Sequence, residues 1–264
     1  SAIQAQAASL CTIAPAHANL ARGEAAKRII AKAPAGFSKV FFTNAGADAN
    51  ENAIRMAHQY TGRSKILSAY RSYHGNTGSA IAATGDWRRV PNEYASGHVH
   101  FFNPYLYRSE FWARDEEEEC ERALQHLRRV IECEGANAVA AILLETIPGT
   151  AGVLLPPKAY LLGVRKLADE FGIVLILDEV MCGMGRTGTL FACEQDEVAP
   201  DITTIAKGLG AGYQPIGAML CTGKIYQALA VGSGFFQHGH TYMGHPAAGA
   251  GSVAVLGRLI DDGL

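Results

Sequence analysis

The chain has 264 residues, of which 48% are hydrophobic and 18% are charged, a balance typical of a soluble globular protein with a substantial core. Its net charge of −2 gives no basic surface field, so nucleic acid and anionic membranes are not expected partners. No apolar run reaches the roughly 18 residues that a membrane span needs. The six cysteines are scattered without a C-x-x-C pair, which favours reduced thiols in a cytoplasmic enzyme over a disulfide framework or a metal site.

Short apolar runs alternate with helical patterns along the chain. This order predicts an α/β fold, with a doubly wound, mostly parallel sheet between two layers of helices. Strands are expected at residues 39–43, 65–69, 98–102, 138–144, 173–177, 202–205 and 216–221. Helices are expected at residues 3–10, 47–60, 114–134, 157–171 and 246–259, with a shorter one that ends at Ala83. Such sheets bind ligands at the carboxyl ends of their strands, so the residues after each strand are the candidates for a site.

Candidate residues follow the first two predicted strands. Gly46 and Ala47 lie where the first strand gives way to a helix, and small residues there allow backbone N–H groups to approach a phosphate. A purely structural turn explains the same residues. Tyr73 follows the second strand, where its ring can stack on a flat ligand, although a buried tyrosine with a satisfied hydroxyl is equally consistent. The neighbouring His74 can equally be an ordinary loop histidine.

Two further candidates follow apolar strands later in the chain. Asp178 and Glu179 come after the fifth predicted strand, where a carboxylate is costly unless it faces a cation or a functional cleft. Asp178 can hold a protonated pyridine nitrogen, or it can form a structural ion pair with Arg186. Lys207 follows the sixth strand, where partial burial favours the neutral, nucleophilic amine. An exposed lysine at a strand end is the alternative.

A dinucleotide site is the competing interpretation of the region after Asp178. Residues 183–188 read Gly-Met-Gly-Arg-Thr-Gly and fit the G-x-G-x-x-G pattern. However, the two carboxylates interrupt the turn from strand to glycines, and no helical pattern follows Gly188. The sequence therefore favours another ligand over a dinucleotide.

Five segments carry the most distinctive patterns: FFTNAGADANENAIRMA, SYHGNTGSA, ILDEVMCGMGRTG, TTIAKGLGAGYQPIGAML and HGHTYMGHPAAGA. In this order they resemble the class III (ω-type) aminotransferases, which are pyridoxal-phosphate (PLP) enzymes of fold type I. The resemblance extends over residues 14–256. Lys207 lies 29 residues after Asp178 (207 − 178), which matches the spacing in the family.

The resemblance implies a role for each residue near the cofactor ring. Lys207 would form the Schiff base with PLP and later move a proton between the substrate Cα and the cofactor C4′. Asp178 would pair with the pyridine nitrogen. Val180 would pack under the ring, and Tyr73 would stack on its other face. Lys207, Asp178 and Tyr73 are thus the expected catalytic residues.

Further cofactor contacts are implied in the same way. Backbone amides of Gly46 and Ala47 would bind the phosphate, and His74 is counted with the cofactor-binding residues. Thr241 matches a threonine that reaches the phosphate of the partner subunit, so a homodimer with a shared active site is expected. Glu145 matches an acid on the 3′-hydroxyl side of the cofactor, although its segment reads ETIPGTAG and departs from the common E-P-x-x-G form.

The reaction implied by the resemblance is transamination. The amino group would pass from an ω-amine or ω-amino acid, such as taurine or β-alanine, to a keto acid such as pyruvate or 2-oxoglutarate. A PLP-dependent aminomutase or decarboxylase of the same fold would share these motifs, and so would an inactive truncated PLP-binding domain. Residues 1–264 resemble the large PLP-binding domain of the family, without its N-terminal segment and C-terminal small domain.

Overall fold

A computed structural model describes residues 1–92 and 94–264. Its described part contains a seven-stranded sheet in the order β1-β7-β6-β5-β4-β2-β3. The strands are β1 (Phe37–Thr43), β2 (Lys65–Ala69), β3 (His98–Phe101), β4 (Val139–Glu145), β5 (Val174–Asp178), β6 (Ile202–Ile205) and β7 (Gly217–Thr222). β7 runs antiparallel to both β1 and β6, and all other neighbouring strands are parallel. The predicted fold class, a mostly parallel mixed sheet between helices, is confirmed.

Helices cover both faces of the sheet. They are α1 (Ala2–Ser9), α2 (Leu20–Lys32), α3 (Gly46–Thr61), α4 (Gly78–Ala83), α5 (Glu116–Glu134), α6 (Tyr160–Phe171), α7 (Gly223–Val231) and α8 (Pro246–Leu256). One core contains buried side chains of α2, α5, α6 and α8, and the other contains those of α3, α4 and α7. No helix in the described part of the chain is both long and apolar enough to cross a membrane.

The central strands alternate their side chains between these two cores. In β5, Leu175 and Leu177 belong to the core under α5 and α6, whereas Val174 and Ile176 belong to the core under α3. All four side chains are at most 3% exposed. A strand that is buried on both faces must be apolar throughout, which is why it reads as an unbroken hydrophobic run in the sequence.

The structure adds two helices that the sequence analysis missed. α2 begins after Asn19, whose side chain accepts a hydrogen bond from the backbone N–H of Arg22, and it buries Ala25 and Ile29 one turn apart. Gly23 weakens its helical pattern. α7 follows β7 without a loop, so its start is masked by the preceding strand pattern.

Most other boundaries differ from the predictions by one to three residues. α6 begins at Tyr160 because the preceding prolines hold an extended path that ends in a turn, in which the Tyr160 N–H donates to the carbonyl of Pro157. α8 ends at Leu256, three residues before the predicted end at residue 259, and is followed by a π-helical turn, Gly257–Asp261.

Candidate functional site

A cleft of about 1300 Å³ opens at the edge of the sheet where the parallel strands end. Its walls come from the loops that follow β1, β2, β4, β5 and β6, because the carboxyl ends of parallel strands meet at one edge. Eight of the nine predicted site residues line it: Gly46, Ala47, Tyr73, His74, Glu145, Asp178, Val180 and Lys207. Residues separated by up to 161 positions (207 − 46) are thus brought to one cavity.

Asp178 provides a buried negative charge in the cleft. Its side chain is 3% exposed. Oδ2 accepts hydrogen bonds from Nδ2 of Asn50 at 2.7 Å and from Nδ1 of His74 at 2.8 Å, and Oδ1 accepts one from the backbone N–H of Val180 at 3.0 Å. No ion pair among the described residues joins Asp178 to Arg186, so the alternative of a structural pair finds no support. The carboxylate is held ready for a cationic group.

Asn50 is a functional residue that the sequence analysis missed. Besides its bond to Asp178, its Nδ2 donates to the carbonyl of His74 at 2.8 Å, and its Oδ1 accepts from Oγ1 of Thr204 at 2.7 Å. Every polar atom of this buried amide side chain is therefore engaged. The available signal was an asparagine one turn before Ala53 and Ile54, which are apolar and buried in the same helix.

The N-terminus of α3 forms a narrow backbone cradle at the cleft wall. Ala45 precedes the helix without a side-chain cap, so the first N–H groups have no partner from the N-cap residue. A Cβ atom at Gly46 would lie 2.6 Å from Cγ1 and 2.8 Å from Cγ2 of Val180. Glycine is therefore required for the close packing of helix and strand end, and an anion fits this helix terminus.

Lys207 follows β6, with the single residue Ala206 between them. Its backbone φ is +36°, which is uncommon for a residue with a side chain. The Lys207 side chain lines the cleft and is exposed, so the expectation that it is partly buried is wrong. The neighbouring Gly208 packs against Met184, whose Cβ would lie 2.6 Å from an added Cβ. This contact fixes the turn and leaves the amine free to reach a ligand.

Glu145 links two loops at the far side of the cleft. Its Oε1 accepts from the backbone N–H of Tyr73 at 2.9 Å, and Oε2 accepts from that of Gly149 at 2.9 Å. Burial raises the pKa of this carboxyl, and the negative charge of Asp178 raises it further. A buried acid that orients the Tyr73 loop is thus part of the site.

Arg88 covers one face of the Tyr73 ring, with its guanidinium carbon 4.0 Å from the ring centroid. It belongs to the 3₁₀ turn Trp87–Asn92 and also pairs with Asp86. No local sequence pattern marks Arg88 as part of a site. If Tyr73 stacks on a ligand, it does so with the face that Arg88 leaves free.

Glu179 and Thr241 do not reach the cleft. Glu179 is fully buried, and its carboxylate accepts from Oγ1 of Thr146 and the backbone N–H groups of Ala192 and Cys193. Burial raises its pKa, and its contacts make it a structural anchor. Thr241 is exposed in the segment before α8 and is not among the residues that line the cavity of its own chain.

The glycines of residues 183–188 do not open a helix. The next elements in the described chain are the 3₁₀ turn Ala192–Asp196 and β6. A dinucleotide fingerprint requires the last glycine to lead into a helix whose N-terminus binds the pyrophosphate. The G-x-G-x-x-G match is therefore fortuitous.

The sheet is mixed, with Lys207 after β6 and the buried Asp178 at the end of the neighbouring β5, and it has the fold type I architecture of solved PLP transaminases. The family model described as "Aminotransferase class-III" matches residues 1–264, and the chain belongs to this family. A probable aminotransferase of Mycobacterium tuberculosis is 36% identical over 249 residues, 91% of this chain and 53% of that protein. An acetylornithine aminotransferase of Methanothermobacter thermautotrophicus is 37% identical over 247 residues, 91% of this chain and 55% of that protein.

Solved structures show the same fold. The taurine:2-oxoglutarate aminotransferase of Bifidobacterium kashiwanohense, in complex with PLP and glutamate, is 44% identical with a TM-score of 0.95, over 99% of this chain and 59% of that one. An (S)-enantioselective omega-transaminase from Thermomicrobium roseum is 36% identical with a TM-score of 0.94, over 99% of this chain and 60% of that one. The chain spans about half the length of the curated relatives it matches.

Proposed function

We propose that the chain is the PLP-binding part of an aminotransferase that transfers an amino group from an ω-amine or ω-amino acid to a keto acid. The observation that carries this proposal is the buried carboxylate of Asp178 in the same cleft as the amine of Lys207. Membership of the class III family supports it.

The residues of the cleft fit PLP in three respects. The N-terminus of α3 at Gly46 and Ala47 suits the phosphate. Asp178 is a buried carboxylate without a lysine or arginine partner among the described residues, and a pyridinium nitrogen would supply the opposite charge. Val180 and Tyr73 line the space where the faces of the ring would lie. When bound, PLP supplies an electron sink for the bond that breaks at the substrate Cα.

Each protein group then has a defined task. The Nζ of Lys207 would hold the cofactor covalently and, once the substrate amine has displaced it, would take the proton from the substrate Cα. Asp178 keeps the proton on the ring nitrogen by its negative charge, and His74 and Asn50 hold that carboxylate in one orientation. Glu145 fixes the backbone of Tyr73, which sets the depth of the ring pocket.

For the substrates, we propose a taurine-like or β-alanine-like donor and 2-oxoglutarate or pyruvate as acceptor. The support is that a solved protein with 44% identity acts on taurine and 2-oxoglutarate. The test is a panel of ω-amines and ω-amino acids against both keto acids, with the amino-acid product measured. A rearranged amine without a new amino acid would indicate an aminomutase, and release of CO₂ would indicate a decarboxylase. PLP binding without any product would indicate an inactive domain.

We also propose a homodimer in which Thr241 reaches the phosphate at the site of the partner. Its support is the exposure of Thr241 outside the cleft of its own chain. A mixture of Lys207→Ala and Thr241→Ala proteins tests it, because each mixed dimer would contain one intact site. After exchange of subunits, about a quarter of the sites should regain wild-type turnover. No gain over the Thr241→Ala protein alone would contradict the shared site.

Two broader proposals accompany the activity. Residues 1–264 form the large PLP-binding domain, as the family resemblance implies.

A cytoplasmic setting is supported by the cysteines, all of which are free thiols and four of which are buried. Fractionation of cells with an antibody against the protein tests the location.

A further inference from the structure

A glutamate outside the predicted site holds the loop that carries Tyr73 and His74. Glu51 lies on α3, and its side chain is 12% exposed. Its Oε2 accepts from the backbone N–H of Ser79 at 2.9 Å and from that of Ala80 at 3.1 Å, while Oγ1 of Thr77 donates to it at 2.8 Å. The first turn of α4 is therefore capped by a neighbouring helix.

The capped turn is the far end of the loop at residues 70–77. At the near end, Oγ of Ser72 donates to the carbonyl of Ala69 at the end of β2. In the middle, a Cβ atom at Gly75 would lie 2.5 Å from Cβ of Ala47, so the loop touches the N-terminus of α3. Contacts at its beginning, middle and end therefore determine where Tyr73 and His74 lie.

Neighbouring residues of α3 thereby serve two parts of one site. Asn50 binds Asp178 directly, and Glu51 binds the turn that follows Tyr73 and His74. The same helix offers its N-terminal N–H groups at Gly46 to the cleft. A displacement of the loop relative to α3 would change the distance between the phosphate cradle and the stacking ring.

We propose that Glu51 is a positioning residue: it fixes the loop at residues 70–77 against α3, so that Tyr73 and His74 meet a ring whose phosphate is held by the same helix. This inference rests on the proposed PLP site. Nη2 of Arg55 lies 3.6 Å from Oε1 of Glu51, but the Arg55 side chain is 45% exposed. The hydrogen bonds from the start of α4 therefore hold the Glu51 carboxylate more strongly than this ion pair does.

The test compares the Glu51→Ala and Glu51→Gln proteins with two controls. Arg55→Ala removes the ion pair but keeps the cap. Glu24→Ala removes an i,i+4 glutamate–arginine pair of α2, with Arg28, and neither residue lines the cleft. For each protein the dissociation constant of PLP, kcat and KM, the melting temperature, and the pH dependence of the absorbance of lysine-linked PLP are measured.

Glu51→Ala is expected to raise the dissociation constant of PLP roughly tenfold, since charge-assisted bonds to the loop are lost. The midpoint of the pH titration of the absorbance should shift by roughly half a unit, because His74 and Asp178 sit differently around the ring. Glu51→Gln keeps one acceptor oxygen and should show a smaller change, and both controls should match the wild type.

A lower melting temperature of both Glu51 variants with unchanged PLP affinity and unchanged titration would overturn the proposal. Glu51 would then only stabilise the start of α4. If Glu51→Ala does not fold, Glu51→Gln decides by the same two readouts. A wild-type protein that forms no lysine-linked PLP would instead refute the proposed function, so the two failures are distinguishable.

Discussion

Nδ1 of His74 lies 2.8 Å from Oδ2 of Asp178, and both side chains are buried. An ionised carboxylate only accepts hydrogen bonds, so the imidazole donates from Nδ1. Nε2 of His74 is buried without a partner in the described part of the chain. The bond from Nδ1 fixes the orientation of the imidazole ring against the carboxylate. The carboxylate has no lysine or arginine partner among the described residues, so a protonated ring nitrogen can supply the opposite charge.

Asp178→Asn should lower the turnover number roughly 100-fold or more while PLP stays attached to the lysine. The neutral amide cannot hold a proton on the ring nitrogen, but it leaves the amine of Lys207 untouched. Rapid-mixing kinetics together with borohydride trapping measure both effects. Asp169→Asn, an exposed aspartate of α6, is the control. Near-normal turnover of Asp178→Asn would remove this residue from the mechanism.

Lys207→Ala should abolish both turnover and the borohydride-resistant link to PLP, because no other amine is predicted to attach the cofactor. Peptide mapping after reduction identifies the modified residue in the wild-type protein. Lys224→Ala changes an exposed lysine of α7 and should behave as the wild type. PLP that remains fixed by borohydride in the Lys207→Ala protein would refute the assignment.

Gly46→Ala should weaken PLP binding at least roughly tenfold, because the new methyl group would overlap Val180 and displace the start of α3. Gly23→Ala is the matched control, since an added Cβ there meets nothing within 4 Å and the residue lies inside α2. This control should raise the free energy of unfolding by about 0.5–1 kcal/mol and leave PLP affinity unchanged. Equal PLP affinities of Gly46→Ala and wild type would argue against the cradle.

Glu145 should make the PLP-free protein less stable as the pH rises. Its pKa is raised in the folded state, so between the unfolded and the folded pKa the folded protein holds a proton that the unfolded chain has lost. The favourable difference is therefore present at low pH and is lost as the pH rises through the folded pKa. Urea unfolding at pH 5 and pH 8 tests this: the free energy of unfolding of the wild type minus that of Glu145→Gln should fall between them. A difference that is constant with pH would show that burial of this carboxyl has no energetic effect.

The positions of the strand ends were accessible from the sequence because the central strands are buried on both faces. β5 reads as a short hydrophobic run and β6 as a short β-branched run, and a charged residue close after such a strand is expected at the edge of the sheet. Asp178 and Lys207 were predicted as site residues in this way, and both lie in the cleft. Their chemical roles stay predictions.

The residues that hold the site in place were not accessible in the same way. Asn50 and Glu51 read as ordinary polar residues of a helix, and their partners are 128 and 28 positions away in Asp178 and Ser79. Arg88 contacts Tyr73 only because a 3₁₀ turn folds back over the ring. Such contacts depend on the packing of elements, which no local pattern encodes.

The position of β1 has a consequence for how the chain folds during synthesis. β1 occupies an edge of the sheet, and β7 is its one hydrogen-bonded neighbour in the described part of the chain. The ribosome completes β7 about 180 residues after β1, which takes roughly 10–35 s at 5–20 residues per second. Until then the apolar strand with Phe41 and Phe42 has no backbone partner and is exposed to mispairing. Closure of this edge, and with it the final placement of the α3 N-terminus in the same cleft as Lys207, is a late event that the nascent chain reaches only after most of residues 1–264 have emerged.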